Sequence, residues 1–395
     1  MTLDLTKIAG TLTGLASETA NRESKTSLDE LADAYLAVDT PELKRRIDAA
    51  KTSWLLARPS ARFQATEPAP APPADYSVVA SDGSFILPDR HAPARYFIIN
   101  IGKVVLRYGS DPYAEIDAEP SMFFREEELY VPAEVRRIPV SGTVLGFKRA
   151  AEELSSVAEV AIRQTTPSIA IQDGTLILWG LETQADSVQH WVLDQFLGAL
   201  NLLRDHEVPV ASYISAPASK NVVHSLRVWR CDYPLRGEPV NCDDCHFRTL
   251  TQQHVPACQP IPDVDDRFVF DQVAQLRPGE RSQIFVSKSK ILDRYGPDHV
   301  IHFFYLNSGT EIGRVEIPHW VAEDRDKLEL VHATIYEQCT LGRGYPSALQ
   351  EAHEIAAIRP DERQAVEALV EQALADHLLP GRRSGKAESK RVRFV

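Results

Sequence analysis

Pro167–Gly180 reads PSIAIQDGTLILWG. Ile169, Ala170, Ile171, Leu176, Ile177, Leu178 and Trp179 make the run apolar, and one acid, Asp173, sits in its middle with a glycine behind it. Such a run predicts a strand buried on both faces of a mixed or parallel sheet. A carboxylate there is costly unless it is paired, hydrogen-bonded or bound to a cation. The pattern has an earlier copy in Tyr76–Leu87, YSVVASDGSFIL, where Asp82, Gly83 and Ser84 match Asp173, Gly174 and Thr175. Laid side by side, the two strands would bring two carboxylates to one sheet position. A divalent cation is the usual answer to that repulsion. Each Asp-Gly taken alone also reads as a hairpin turn, but its repetition inside two apolar runs favours a metal–carboxylate site.

Working outward, strands are predicted at Tyr76–Leu87, Ala94–Tyr108 and, more weakly, Ala114–Phe124. The acidic stretch Arg125–Glu134 reads as a helix end or loop. A helix over Val144–Gln164 leads into the Asp173 strand, and another over Asp186–Asp205 carries Val188, Trp191, Val192, Phe196, Leu200 and Leu203 as its apolar stripe. A strand at Val208–Ile214 and a helix at Lys220–Trp229 follow. Strands first, then alternating helices and strands, indicate an α/β fold in three layers. A three-strand meander followed by α-β-α-β is the order of a ribonuclease H-like mixed sheet flanked by helices. That fold places metal-binding carboxylates on the first strand, on a helix and on a later strand.

Further strands are expected at Ile284–Val286, His299–Leu306 and Gly313–Ile317, with helices over Asp324–Leu341 and Asp361–Leu379. Between those helices lies GRGYPSALQEAHEIAAI, Gly342–Ile358. A helix starting at Pro346 would carry His353 about two turns from Tyr345, on much the same face. A lone histidine on a helix is more often structural than a ligand, so spacing alone does not make His353 catalytic.

Residues 1–66 read as an N-terminal helical extension, with Leu28, Leu31, Ala32, Tyr35 and Leu36, then Leu43, Ile47, Ala50 and Trp54, at helical spacing. Residues 67–75 (EPAPAPPAD) form a semi-rigid proline-rich linker. The main domain is expected over 76–380, with a four-cysteine insertion at 231–260. The tail 381–395 is basic (RRSGKAESKRVR, Arg382–Arg393) and reads as a solvated segment. In the insertion, Cys242 and Cys245 form a tight chelating pair flanked by Cys231 and Cys258. Such spacing suggests a structural zinc, with an iron–sulfur cluster as the alternative and His246 as a substitute ligand.

The chain has 395 residues, 44% of them hydrophobic, enough for one large domain or two. No apolar run is long enough to span a bilayer and no secretory signal opens the sequence, so a cytoplasmic location is expected. A formal net charge of −13 excludes nucleic-acid binding over the whole surface and confines any such contact to a groove, a tail or bound cations. No Gly-x-x-x-x-Gly-Lys-Ser/Thr loop and no Gly-x-Ser-x-Gly elbow occurs, which argues against a P-loop ATPase and a serine hydrolase.

Together these pieces resemble the NurA family of DNA-end-processing nucleases. The resemblance rests on VASDGSF (Val79–Phe85), the helix bearing Lys148, Arg149, Glu152 and Glu153, IQDGTL (Ile171–Leu176), ISAPASKNVVHSLR (Ile214–Arg227) and GYPSALQEAHEIAAIR (Gly344–Arg359). It covers roughly Tyr76 to Arg359. It implies a ribonuclease H-like nuclease dependent on manganese, or magnesium, with two ions in the active site. Asp82 and Asp173 would be the two strand aspartates, and Glu153, with Glu152 as the competing neighbour, the helix glutamate. Tyr345 and His353 would be the family's C-terminal pair. DNA ends as substrate, a HerA-like hexameric ATPase as partner and a homodimer are implied as well. The cysteine insertion, the linker and the N-terminal helices depart from the family pattern.

Two-metal phosphodiester hydrolysis needs a nucleophilic water, charge neutralisation and a stabilised leaving oxygen. Asp82, Glu153 and Asp173 would hold the ions, joined by His353 as ligand or proton-transfer group, with Tyr345 orienting the phosphate or stacking on a base. Lys148, Arg149, Lys220 and Arg227 are candidates for DNA backbone contacts, although each also reads as surface solvation. The competing reading is a non-catalytic adaptor of an ATPase–DNA complex; the paired acids argue against it. Repair of double-strand breaks and anti-phage defence would both use such a nuclease.

Overall fold

The computed structural model describes residues 8–12, 14, 15, 17, 18, 28–88, 94–132, 137–231, 239–242, 245 and 258–377. The tail 381–395, His246 and most of the 231–260 insertion lie outside the described residues. Two compact units emerge, one drawn from Met1–Glu67, Ala216–Arg277 and Ser282–Lys288, the other from Pro68–Ser215, Pro278–Arg281 and Ser289–Val395.

The second unit carries the sheet. Its strands are β1 (Tyr76–Ile86), β2 (Phe97–Tyr108), β3 (Tyr113–Phe123), β4 (Ser168–Asp173), β5 (Val210–Ile214), β6 (Ile301–Asn307) and β7 (Ile312–Pro318), in the order β6-β7-β5-β4-β1-β2-β3. β1, β2 and β3 form an antiparallel meander, and β4 and β5 run parallel to β1. β7 pairs antiparallel with β5 and with β6. The helices are α1 (Thr143–Ala161), α2 (Asp186–Asp205), α3 (Arg325–Leu341), α4 (Ser347–Ala356) and α5 (Pro360–Asp376). This is a mixed α/β architecture with a large central sheet flanked by helices.

The burial pattern follows the sequence. β1 and β4 are buried along almost their whole length, as strands covered on both faces must be. On α1 the residues Val144, Leu145, Phe147, Ala151, Leu154, Val157, Ala158 and Ala161 recur at helical spacing and are buried. They pack with Val79, Phe97, Ile99, Ala170, Phe196 and Leu200 into one core between the sheet, α1 and α2. At the opposite extreme, β3 is exposed nearly throughout. Glu115, Asp117, Glu119 and Pro120 give this edge charge and a missing donor, features that discourage pairing with another chain.

One expectation needs correction. Pro167–Gly180 is not one strand: β4 stops at Asp173, because Gly174 adopts φ +84°, a left-handed conformation that suits glycine. Leu176, Ile177 and Leu178 are buried all the same, in a loop. The helix of His353 starts where expected, α4 beginning at Ser347 with Pro346 as its N-cap, and Tyr345 precedes it.

In the first unit, helices Leu28–Leu36 and Thr40–Ala49 bury Leu31, Ala34, Tyr35, Leu43 and Ile47. Helix Asn221–Arg230 packs against both. Buried Asp266 accepts from the amides of Val222 and Val223 at 3.0 and 2.9 Å, satisfying the start of that helix. Arg46 donates to the carbonyls of Trp229 and Cys231 at its end, each at 2.9 Å. Strand Ala57–Pro59 pairs antiparallel with Phe285–Ser287. The N-terminal helices share a compact unit with residues 216–277.

Candidate active site

β1 and β4 lie side by side in parallel register, with Ala80 opposite Ile171 and Ser81 opposite Gln172. Asp82 and Asp173 are the next residue on each strand. Successive side chains of a strand point to opposite faces. Ser81, whose hydroxyl donates to the Glu153 carbonyl at 2.8 Å, faces α1. Asp82 therefore faces the other way, toward α4, where His353 Nδ1 meets its Oδ2 at 2.7 Å. Asp173 Oδ1 accepts from the Tyr345 hydroxyl at 2.7 Å. The Tyr345 ring in turn meets Tyr213 of β5 edge-on, centroids 5.7 Å apart.

The third carboxylate arrives from α1. Glu153 is 4% exposed, and its carboxylate lies where a Cβ on Gly83 would come within 2.5 Å. The two Asp-Gly pairs therefore have different physical causes. Gly83 sits within a regular strand and makes room for Glu153, whereas Gly174 turns the chain. Their hydroxyl followers are both anchors: Ser84 Oγ donates to the Ala356 carbonyl at 2.5 Å and Thr175 Oγ1 to Glu316 Oε2 at 2.7 Å.

Burial pushes the Glu153 carboxyl up to about 8; Arg149 opposes this, and the nearby charges of Asp82 and Asp173 reinforce it. Arg149 Nε approaches Glu153 Oε1 to 3.2 Å without hydrogen-bond alignment, and Gln172 Nε2 reaches Oε2 at 3.4 Å. Glu153 Oε1 is thus a buried acceptor with no hydrogen-bond donor among the described residues. Burial also pushes the Tyr345 phenol up, with Asp173 and Asp82 adding to the effect, so it stays a donor.

Among the described residues, no group of three or more His, Cys, Asp or Glu side chains could hold a metal ion as it stands. The donor set still suits a hard divalent cation: three carboxylates and an imidazole, with one buried oxygen lacking a donor. Glu152 pairs with Lys148. Lys148 lies over the rings of Phe123 and Trp191, at 4.5 and 5.6 Å, and its side chain is only 12% exposed. Arg149, by contrast, sits at the site, donating to the Gly83 carbonyl at 2.8 Å with its side chain 35% exposed.

The remaining sequence candidates belong to the first unit. Lys220 pairs with Asp263 at 2.8 Å, and Arg227 donates to the Ile261 carbonyl and lies over Trp54. Cys231, Cys242, Cys245 and Cys258 are partly buried thiols. Burial pushes the Cys258 thiol up; Arg227 lowers it, and Cys242 and Cys245 raise it further, so these groups share one neighbourhood. The Cys242 amide is fixed on the Lys51 carbonyl at 2.8 Å. Gln172, Tyr213, Arg314 and Glu316 escaped the sequence reading. The one signal was GRVEIP, which carries an arginine and a glutamate two apart in an otherwise apolar strand.

Fold and site define an α/β protein whose paired strands and one helix gather three acids, a tyrosine and a histidine at the end of a sheet. Residues 76–358 match the family model of the NurA domain, and the chain belongs to that family. It is also similar to the solved NurA nuclease from Sulfolobus solfataricus, at 10% identity and a TM-score of 0.48 over 94% of this chain and 98% of that one. No curated protein matches. No helix among the described residues is long and apolar enough to cross a membrane.

Proposed function

We propose that this chain is a metal-dependent DNA nuclease that processes DNA ends in double-strand break repair, as a cytoplasmic homodimer working with a HerA-like hexameric ATPase. The reading is supported by membership of the NurA family and by the strand order β5-β4-β1-β2-β3, which suits a ribonuclease H-like fold. The single observation that carries it is the convergence of Asp82, Glu153 and Asp173 from two adjacent strands and the helix between them, with Glu153 buried among the other charges.

Asp82, Glu153 and Asp173 would hold two manganese or magnesium ions. Bound there, the ions would supply an activated water and neutralise charge on the phosphate and leaving oxygen. His353, held against Asp82 through Nδ1, would serve as a further ligand or as the group that moves a proton. Tyr345 keeps its proton and holds Asp173 in place. Arg149 binds the Gly83 carbonyl through Nη1 and has further donors for a DNA phosphate. Lys148 is committed to Glu152 and two aromatic rings and serves packing instead. In the first unit, the thiols of Cys242, Cys245 and Cys258, joined by Cys231, would take zinc or an iron–sulfur cluster as a structural staple, which metal analysis of the purified protein tests.

The test of the nuclease is degradation of end-labelled linear DNA, single- and double-stranded, with manganese, magnesium or chelator, with and without a HerA-like ATPase. Cleavage that needs the metal and disappears in both Asp82→Ala and Asp173→Ala is the expected result. Absence of cleavage under every condition by folded protein would overturn it.

A further inference from the structure

A buried ion pair outside the carboxylate cluster grips the turn that follows Asp173. Glu316 on β7 is 1% exposed and Arg314, two residues earlier, is 2% exposed. Arg314 Nε and Nη2 reach Glu316 Oε1 at 2.9 and 2.7 Å, and the guanidinium lies 3.6 Å from the centroid of the Phe303 ring. The other carboxylate oxygen, Oε2, accepts from Thr175 Oγ1 at 2.7 Å and from the Leu176 amide at 2.9 Å. Thr175 Oγ1 also accepts from the Ile177 amide at 3.0 Å.

Burying two charges is expensive, and an apolar pair of similar volume often serves stability as well. What an apolar pair would not do is accept two bonds from the residues two and three beyond Asp173. Gly174 gives this turn its left-handed bend, and its amide is tied to the Tyr213 carbonyl at 3.0 Å. Tyr295 closes the far side: its hydroxyl donates to the Leu176 carbonyl at 3.1 Å and accepts from the Leu178 amide at 3.0 Å. The Glu316 carboxylate bonds both the side chain and the backbone of the turn.

We propose that Glu316, oriented by Arg314, is a positioning residue that fixes the Asp173–Ile177 turn and thereby aims the Asp173 carboxylate into the metal site. The inference rests on the nuclease reading above. Groups that orient a metal ligand from behind typically govern affinity by about 10–100-fold when removed.

The test uses the full-length protein carrying Thr175→Val, Thr175→Ser or Glu316→Gln. Hydrogen exchange of peptides covering 174–178 reads the anchor without metal, and calorimetric titration with Mn²⁺ reads its reach to Asp173. Thr175→Val and Glu316→Gln should exchange faster across the turn and bind Mn²⁺ about 10–100-fold more weakly. Thr175→Ser should restore both, with thermal unfolding showing each protein folded. Should Glu316→Gln fail to fold, Thr175→Val decides the matter alone. Unchanged exchange in Thr175→Val, or faster exchange with unchanged Mn²⁺ affinity, overturns the proposal. If the unsubstituted protein takes up no Mn²⁺ and cuts no DNA, the nuclease reading fails and the positioning role falls with it. That outcome is recognised by the unsubstituted protein itself.

Discussion

His353 Nδ1 and Asp82 Oδ2 meet at 2.7 Å although the two residues lie 271 positions apart in the chain. The contact exists because α4 lies almost flush on β2. Gly102, the register partner of Asp82, has no side chain, and a Cβ there would come within 2.5 Å of the Ala352 carbonyl and 2.9 Å of the Ala356 amide. Ser84 and Asn100 then bond the Ala356 carbonyl and fix the rotation of the helix.

Gly102→Ala should lift α4 from the sheet and separate His353 from Asp82. Because the clash is with backbone, overpacking of about 1–3 kcal/mol is expected. Denaturant unfolding and DNA cleavage measured on the same preparation should both fall. Full activity with unchanged stability would contradict this account of the glycine.

Tyr345→Phe removes one hydroxyl and leaves the ring against Tyr213. Cleavage should drop roughly 10–100-fold through loosened Asp173, as for other groups that orient a metal ligand. His353→Gln should cost more, about 10²–10⁴-fold, if the ring moves a proton. Single-turnover rates at saturating metal distinguish the two.

Glu153 has a folded pKa near 8 against an ordinary 4.5. The folded state therefore holds its proton where the unfolded state has lost it. Stability from this group is fully present below about 4.5 and is lost as pH rises through about 8. In chelator at pH 9, Glu153→Gln should be more stable than the unsubstituted protein by a few kcal/mol, since each tenfold change in proton affinity is worth about 1.4 kcal/mol. At pH 4 the two should converge, as urea midpoints would show.

His332 carries the opposite sign. Burial pulls its pKa down from 6.5 to about 4, Arg281 adds to the effect, and its Nε2 bonds the Gly279 carbonyl at 2.9 Å. It is buried neutral, so the unfolded state takes up the proton first as pH falls. Stability present above about 6.5 should be lost as pH falls through about 4, by roughly 2–3 kcal/mol. His332→Gln should flatten the urea midpoint between pH 7 and pH 4.5.

The elements of this fold were legible because their periodicities are strong. The three-strand meander, α1, α2 and β5 fall within a few residues of where alternation and helical spacing put them. The convergence of Asp82 with Asp173 was legible too, since a repeated Asp-Gly-hydroxyl pattern inside two apolar runs suggests neighbouring strands. The reasons for the glycines were not. Gly83 answers to Glu153, which is 70 positions away, and Gly174 to a turn that an apolar run conceals. Lys148 reads as a surface cation because nothing local announces Phe123 and Trp191 beneath it. Arg314 and Glu316 look like ordinary strand charges until the adjacent turn is seen resting on them.

The most direct test of the central claim is anomalous diffraction at the manganese edge from crystals of the full chain soaked in Mn²⁺. Peaks are expected in contact with the carboxylates of Asp82, Glu153 and Asp173, and should be lost in Asp82→Asn. Manganese bound elsewhere, with these three carboxylates unoccupied, would contradict it.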